Sequence, residues 1–183
     1  MSICVRPIQP SDAESYVELL AWLDEESRYP VVNLIERSMS ASDWREAITR
    51  LLAEGQRIIL VAEVEAEDAP ADPAGADAQP LAGFLSTTSD YFGSVHELRI
   101  VIGLREQYTG QGVGTRLFAA LEAWARTTDV QRLHLTVEID NARALALYHK
   151  MGFEVIGHIR HAVQIGGQWV DDYVMEKWLH DHI

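Results

Sequence analysis

The sequence predicts a mixed α/β fold in which helices cover the faces of one central sheet. Two observations carry this. Apolar residues recur at helical spacing in four segments, and seven short runs are β-branched or alternating as strands are. These segments interleave as β, α, α, three strands, α, β, α and two strands. At 183 residues and 48% apolar composition, the chain suits a single domain over 1–183 with a core of its own.

In chain order, "ICVRPIQ" alternates enough for a first strand, and Pro10, Ser11 and Asp12 mark a turn and helix cap. Tyr16, Leu19, Leu20 and Leu23 then predict a helix over about residues 12–24. "ESRYPVVNLIERSMSAS" has no clean period and reads as an irregular connection with room for a short helical turn. Trp44, Ile48, Leu51 and Leu52 form the stripe of a second helix, about 42–54, which Gly55 stops. "RIILVAEV" and "LAGFLSTT" read as a strand pair, with residues 65–80 as a flexible acidic hairpin loop between them.

"HELRIVIGL" alternates for longer, with Leu98, Ile100, Ile102 and Leu104 on one face and Glu97, Arg99 and Val101 on the other. It runs straight into "REQYTGQGVGTRLF". From Gly112 to about Thr127, Val113, Leu117, Leu121 and Trp124 make a helical stripe, with Glu122 and Arg126 as an outer pair. "RLHLTVEI" is a further strand, and residues 141–151 form a short helix bearing Ala144, Leu145, Tyr148 and Met151, ended by Gly152. "FEVIGHIRHAVQI", a Gly166-Gly167 turn and "QWVDDYVMEKWL" close the chain as a hairpin.

Composition narrows the function classes. A net charge of −13 disfavours a phosphate-backbone surface, so no nucleic-acid partner is expected. No apolar run approaches the roughly 20 residues that span a bilayer, and the N-terminus lacks a basic flank with a greasy stretch, so neither a membrane nor a signal peptide is expected. Cys4 is the only cysteine, which leaves the cytoplasm as the default location. His158 and His161 sit three apart in a strand and would point to opposite faces, and His180 and His182 lie in the tail, so no metal is expected.

The glycine segment is the most pointed feature. A strand entering a glycine-rich turn and then a helix presents free N–H groups and the positive end of the helix dipole to an anion. A Walker loop requires Lys with Ser or Thr after its last glycine, and here Thr115 and Arg116 follow Gly114. A dinucleotide fingerprint requires G-x-G-x-x-G, whereas the glycines here are Gly110, Gly112 and Gly114. A tight turn that binds nothing is the remaining alternative. About 30 residues on, "NARALALYHKMGFE" opens a helix at Asn141 that carries Tyr148 two turns later.

Together these motifs resemble the GNAT superfamily of acyl-coenzyme A dependent N-acyltransferases. The family's loop has the form Gln/Arg-x-x-Gly-x-Gly/Ala, matched by Gln107, Gly110 and Gly112, and its later Asn, Leu-Tyr and Gly-Phe motif matches residues 141–153. Thr109 departs from the pattern, standing where many relatives carry Arg or Gln.

The resemblance implies a mostly antiparallel sheet of about seven strands, splayed at a cofactor cleft, with about four helices. It implies acetyl-CoA as co-substrate. The backbone of Ile102, Gly103 and Leu104 would pair with its pantetheine arm, the stretch of Gln107, Thr109, Gly110, Gln111, Gly112, Val113, Gly114 and Thr115 would hold its diphosphate, and Asn141 would bond the arm. Arg105 and Arg116 could add outer charge. Tyr148 would protonate the leaving sulfur, and Glu97, with Glu138 as a weaker candidate, would take the amine proton. The implied reaction is direct acetyl transfer to a primary amine of a small molecule, amino acid, polyamine or protein N-terminus. A non-catalytic acyl-CoA sensor is the alternative, and a homodimer is compatible with either.

Overall fold

A computed structural model describes residues 2–29, 34–65, 80–89 and 96–179. Residues 66–79 of the expected acidic loop, together with His180 and His182, lie outside the described residues. The strands are β1 (Ile3–Pro7), β2 (Ile59–Val64), β3 (Leu81–Thr88), β4 (Glu97–Leu104), β5 (Arg132–Glu138), β6 (Glu154–Ile165) and β7 (Gln168–Trp178). They form one seven-stranded sheet in the order β1-β2-β3-β4-β5-β7-β6. β4 and β5 run parallel, which requires the long crossover that the glycine segment and a helix supply. β1 with β2, β2 with β3, β5 with β7 and β6 with β7 are antiparallel, so the sheet is mixed as the sequence predicts.

The helices are α1 (Ala13–Glu26), α2 (Leu34–Ser38), α3 (Ala41–Glu54), α4 (Val113–Ala125) and α5 (Ala142–Lys150). Among the described residues five stand where about four were expected. The fifth, α2, is one turn and a half within the aperiodic connection, too short to show a repeat. Contacts group the chain into two compact units, Met1–Ser86 with Ile102–Leu121, and Thr87–Val101 with Glu122–Ile183.

In the first unit the stripe read from α1 is the core: Tyr16, Leu19, Leu20 and Leu23 are all buried. The Tyr16 ring meets Trp44 edge-on at 4.8 Å and Phe84 at 5.5 Å, the offset geometry that aromatic quadrupoles favour. Ser40 and Asp43 form a reciprocal capping box at the start of α3, and Gly55 ends it at φ 65°. Asp12 does not cap α1 as expected. Its carboxylate accepts from Arg6 at 2.7 Å and from the Gln9 N–H at 2.7 Å, and Arg6 also reaches Glu63 at 2.5 Å, so the charges tie β1 to β2 and to the turn.

In the second unit Leu133, Leu135 and Val137 of β5 are buried, with Phe153 and Met175. The expected outer pair of Glu122 and Arg126 is not the one that forms. Lys177 of β7 donates to the Glu122 carboxylate at 2.6 Å and to the Met151 carbonyl at 2.6 Å, a tertiary partner that helical spacing cannot foresee. β6 is also less regular than alternation assumes. Its register with β7 shifts between Ile159 and Val163, and His161 adopts φ 53°. One carboxylate, Asp171, consequently serves both histidines, facing His158 Nε2 at 2.8 Å and accepting the His161 N–H at 2.8 Å. Among the described residues no group of three metal-ligating side chains is gathered, and no helix is long and apolar enough to cross a membrane.

Candidate active site

The parallel ladder between β4 and β5 is short. It pairs Glu97 with Arg132, Leu98 with Leu133 and Arg99 with His134, and ends there, although β4 runs on to Leu104 and β5 to Glu138. The burial pattern of β4 changes over the same stretch: Leu98 and Ile100 are buried as predicted, whereas Ile102 and Leu104 are half-buried and Gly103 takes the buried position. Such a premature end leaves strand N–H and C=O groups without ladder partners, as the resemblance requires of a strand that pairs with a pantetheine arm.

In the first unit β4 lies tight against β3. A Cβ on Gly83 would stand 2.4 Å from Leu104 Cδ2 and 2.5 Å from the Gly103 carbonyl, so only glycine allows this approach. Past Leu104, a single 3-10 turn at Glu106–Tyr108 leads into the glycine loop. Gly110 and Gly112 adopt φ 73° and 80°, and nothing lies within 4 Å of where their Cβ atoms would be. These glycines are therefore held by backbone conformation and open space, not by crowding. α4 starts at Val113, with Arg116 N–H making a helical bond to the Gly112 carbonyl at 3.1 Å. The amides ahead of it sit at the positive end of the helix, and this cradle fits a diphosphate.

The flanking side chains are committed elsewhere. Arg105 bonds the Glu26 carboxylate at 3.2 Å and lies 4.5 Å over the Trp22 ring, while Arg116 donates to the Ile3 carbonyl. Thr109 N–H and Oγ1 both donate to the Glu106 carbonyl, at 3.0 and 2.7 Å, so the outward row of amides begins no earlier than Gly110. Gln111 folds back, its side-chain amide donating to the Gln107 carbonyl at 2.7 Å. The outer phosphate charge expected of Arg105 and Arg116 is thus spent inside the protein.

The second unit holds the titratable groups. Tyr148 is buried on α5, its ring 6.2 Å from Phe153. Burial, and then the charge of Glu138, push its phenol well above the usual tyrosine value. Asn141 does cap α5, its Oδ1 accepting the Ala144 N–H at 3.2 Å, and its backbone N–H donates to the Glu138 carbonyl at 3.0 Å. Glu138 ends β5 directly opposite Asp172 of β7. Burial raises the Glu138 carboxyl first of all, its own backbone N–H opposes this, Asp172 adds to the rise, and Asn141 pulls the other way. Burial and then Asp171 raise Asp172, against Arg99, and Asp172 Oδ1 is buried with no hydrogen-bond partner among the described residues.

Glu97 is placed otherwise. Its carboxylate is ion-paired with its register partner Arg132, whose second nitrogen reaches Glu176 at 3.1 Å. Glu138, the weaker base candidate of the resemblance, is the acid whose carbonyl accepts the Asn141 N–H at 3.0 Å and whose charge acts on the Tyr148 phenol.

Residues 20–153 match the model of the acetyltransferase (GNAT) family. The chain belongs to that family. Among its relatives, the L-methionine sulfoximine/L-methionine sulfone acetyltransferase of Pseudomonas paraeruginosa is 28% identical over 113 residues, 62% of this chain and 60% of that protein. The N-alpha-acetyltransferase RimI of Mycobacterium tuberculosis is 38% identical over 76 residues, 42% of this chain and 45% of that one. The chain therefore spans less than two thirds of either relative. Solved GNAT structures share its fold throughout. A Streptococcus pneumoniae acetyltransferase superposes with a TM-score of 0.83 at 23% identity, covering 97% of this chain and 99% of its own. A putative acetyltransferase from Salmonella typhimurium, solved with acetyl-CoA, superposes at 0.77 and 17% identity, covering 100% and 97%.

Proposed function

We propose that this GNAT protein transfers the acetyl group of acetyl-CoA to a primary amine by direct attack in a ternary complex. The observation that supports this most is the open, positive-φ glycine cradle at the start of α4. Within the other unit, a buried tyrosine on a helix capped by Asn141 adds to it. Acetyl-CoA supplies a thioester whose carbonyl is open to attack and whose sulfur can leave.

The chain supplies the rest. The backbone of Ile102, Gly103 and Leu104 takes the pantetheine arm, and the amides from Gly110 to Thr115 take the diphosphate. An amine is cationic at neutral pH and must lose a proton before it attacks, and the departing sulfur must gain one. Tyr148 is the donor to sulfur, and its raised phenol keeps that proton in place at every working pH. The acceptor is a small-molecule, amino-acid, polyamine or N-terminal amine. These two relatives carry names for acetylating an amino-acid analogue and an α-amine, which supports this range. The cytoplasm supplies the donor and suits the exposed free thiol of Cys4.

The test is turnover: purified protein, acetyl-CoA and an amine panel, with free thiol and acetylated product both measured. Thermal stabilisation by coenzyme A without thiol release for any amine would favour a non-catalytic acyl-CoA sensor. A ligand at 100 times its Kd adds about 2.7 kcal/mol to stability, which a melting scan resolves.

A further inference from the structure

α1 ends on Asp24, Glu25 and Glu26, three acids at the negative end of the helix dipole, with no basic residue in the last turn. Helix electrostatics disfavours a carboxylate there, so tertiary partners are what hold a partly buried one in place. Asp24 meets Arg37 at 2.5 Å. Glu26 instead reaches residues 79 and 80 positions away, on the turn that leads into the glycine cradle. Its Oε1 accepts from Arg105 Nε and a terminal guanidinium nitrogen at 3.3 and 3.2 Å, and its Oε2 accepts the Glu106 N–H at 2.9 Å. Trp22 stands one turn earlier on the same face of α1, and the Arg105 guanidinium lies 4.5 Å over its ring. Two groups of one helix therefore grip Arg105, all within the first unit.

The bond to Glu106 matters most for the loop. Glu106–Tyr108 is a single 3-10 turn, and Arg105 at its N-cap gives no side-chain cap. A helical turn starts with free N–H groups, and the Glu26 carboxylate supplies the missing acceptor from α1. Much of the turn is closed on itself. Tyr108 N–H bonds the Arg105 carbonyl and Thr109 N–H the Glu106 carbonyl, both at 3.0 Å, and the Gln111 side chain bonds the Gln107 carbonyl at 2.7 Å. Its anchors outside itself include the Arg105 N–H bond to the Ala82 carbonyl of β3 at 3.0 Å, the buried Tyr108 ring, and Glu26. Gly110 comes two residues after this turn. Gly110 and Gly112 have open space around their Cβ positions, so the cradle takes its place from the turn before it and from α4 after it.

We propose that Glu26 is a positioning residue for donor binding: it clasps the turn ahead of the glycine cradle to the end of α1, and so holds the cradle's amides ready for the diphosphate. The proposal rests on the donor half of the acetyl-transfer reading and adds a residue that touches neither acetyl-CoA nor the amine. Preorganised donors leave less freedom to be lost when a ligand binds, so the clasp acts on affinity and not on the chemical step. Arg105 serves the clasp instead of the phosphate.

The test compares wild type with Glu26→Gln, Glu26→Ala and Glu14→Gln. Glu14 forms an exposed ion pair with Arg45 near the other end of α1, so its variant controls for losing an α1 ion pair as such. Coenzyme A binding is followed by calorimetric titration, and rates are taken with acetyl-CoA and the amine panel. Glu26→Ala should weaken coenzyme A binding about tenfold and raise KM for acetyl-CoA by the same factor, with kcat and KM for the amine within about twofold. Glu26→Gln keeps an acceptor for the Glu106 N–H and should lose about threefold. Glu14→Gln should match wild type. A general loss of folded protein would instead lower kcat and leave the Kd of the folded fraction where it was. Unchanged coenzyme A affinity in Glu26→Ala, or an equal loss in Glu14→Gln, overturns the proposal. Tighter binding in Glu26→Ala also overturns it, since Arg105, once released, would then be a phosphate ligand. A wild type that binds coenzyme A but acetylates no amine overturns the acetyl-transfer reading alone, because the binding comparison at Glu26 needs no turnover.

Discussion

Arg132 stands opposite Glu97 in the parallel ladder of β4 and β5, and their side chains form an ion pair that Arg132 extends to Glu176 at 3.1 Å. The guanidinium also lies 5.5 Å over the Trp178 ring. These contacts join three strands at the end of the ladder where pairing is complete. Because Arg132 already claims the Glu97 carboxylate, Glu97→Gln should leave kcat within about twofold. Its stability cost should be under about 1 kcal/mol, since the pair is partly exposed. Steady-state rates and a melting curve check both.

Gly112→Ala tests the cradle. A Cβ there meets open space, so the cost is not a clash. It is the positive φ of 80°, which alanine adopts at about 1–2 kcal/mol, and the added methyl stands where the phosphate would approach. Stability should fall by that amount and coenzyme A affinity by tenfold or more, measured by melting and by calorimetric titration.

Thr109→Arg should strengthen donor binding. Arg105 is held by Glu26 and Trp22 and Arg116 by Ile3, so an arginine at 109 supplies a cation that the loop's neighbours do not. One exposed charge-assisted contact to the diphosphate is worth about 1 kcal/mol, and KM for acetyl-CoA should fall about fivefold at low salt. The gain should shrink as salt is added.

Glu138 and Asp172 make a stability prediction with a definite sign. Both carboxyls are raised in the fold, so their contribution favours the folded state below the unfolded carboxylate range and is lost as pH rises through the folded values. At pH 7 their charges therefore work against folding. Glu138→Gln should raise Tm by a few degrees at pH 7 and by progressively less toward pH 4, which melting curves across that range check.

Much of the fold is legible in the sequence because its elements are long and periodic. The α1 stripe of Tyr16, Leu19, Leu20 and Leu23 and the alternation of β5 appear in the structure as buried faces. The phosphate cradle is legible because left-handed backbone nearly requires glycine, so Gly110 and Gly112 declare themselves. What sequence reading misses depends on partners far along the chain. Lys177 claims Glu122 from β7, Arg6 claims Asp12 from β1, and Asp172 comes opposite Glu138 only through the register of β5 and β7. No local period encodes those pairings.

The most direct test of acetyl transfer is the release of free coenzyme A thiol by purified protein supplied with acetyl-CoA and the amine panel, run in parallel with Tyr148→Phe. The expected result is thiol appearing in step with acetylated amine, with the rate reduced on the order of 10²-fold in Tyr148→Phe and coenzyme A binding intact. Equal rates in the two proteins, or binding of coenzyme A with no thiol released for any amine, would contradict it.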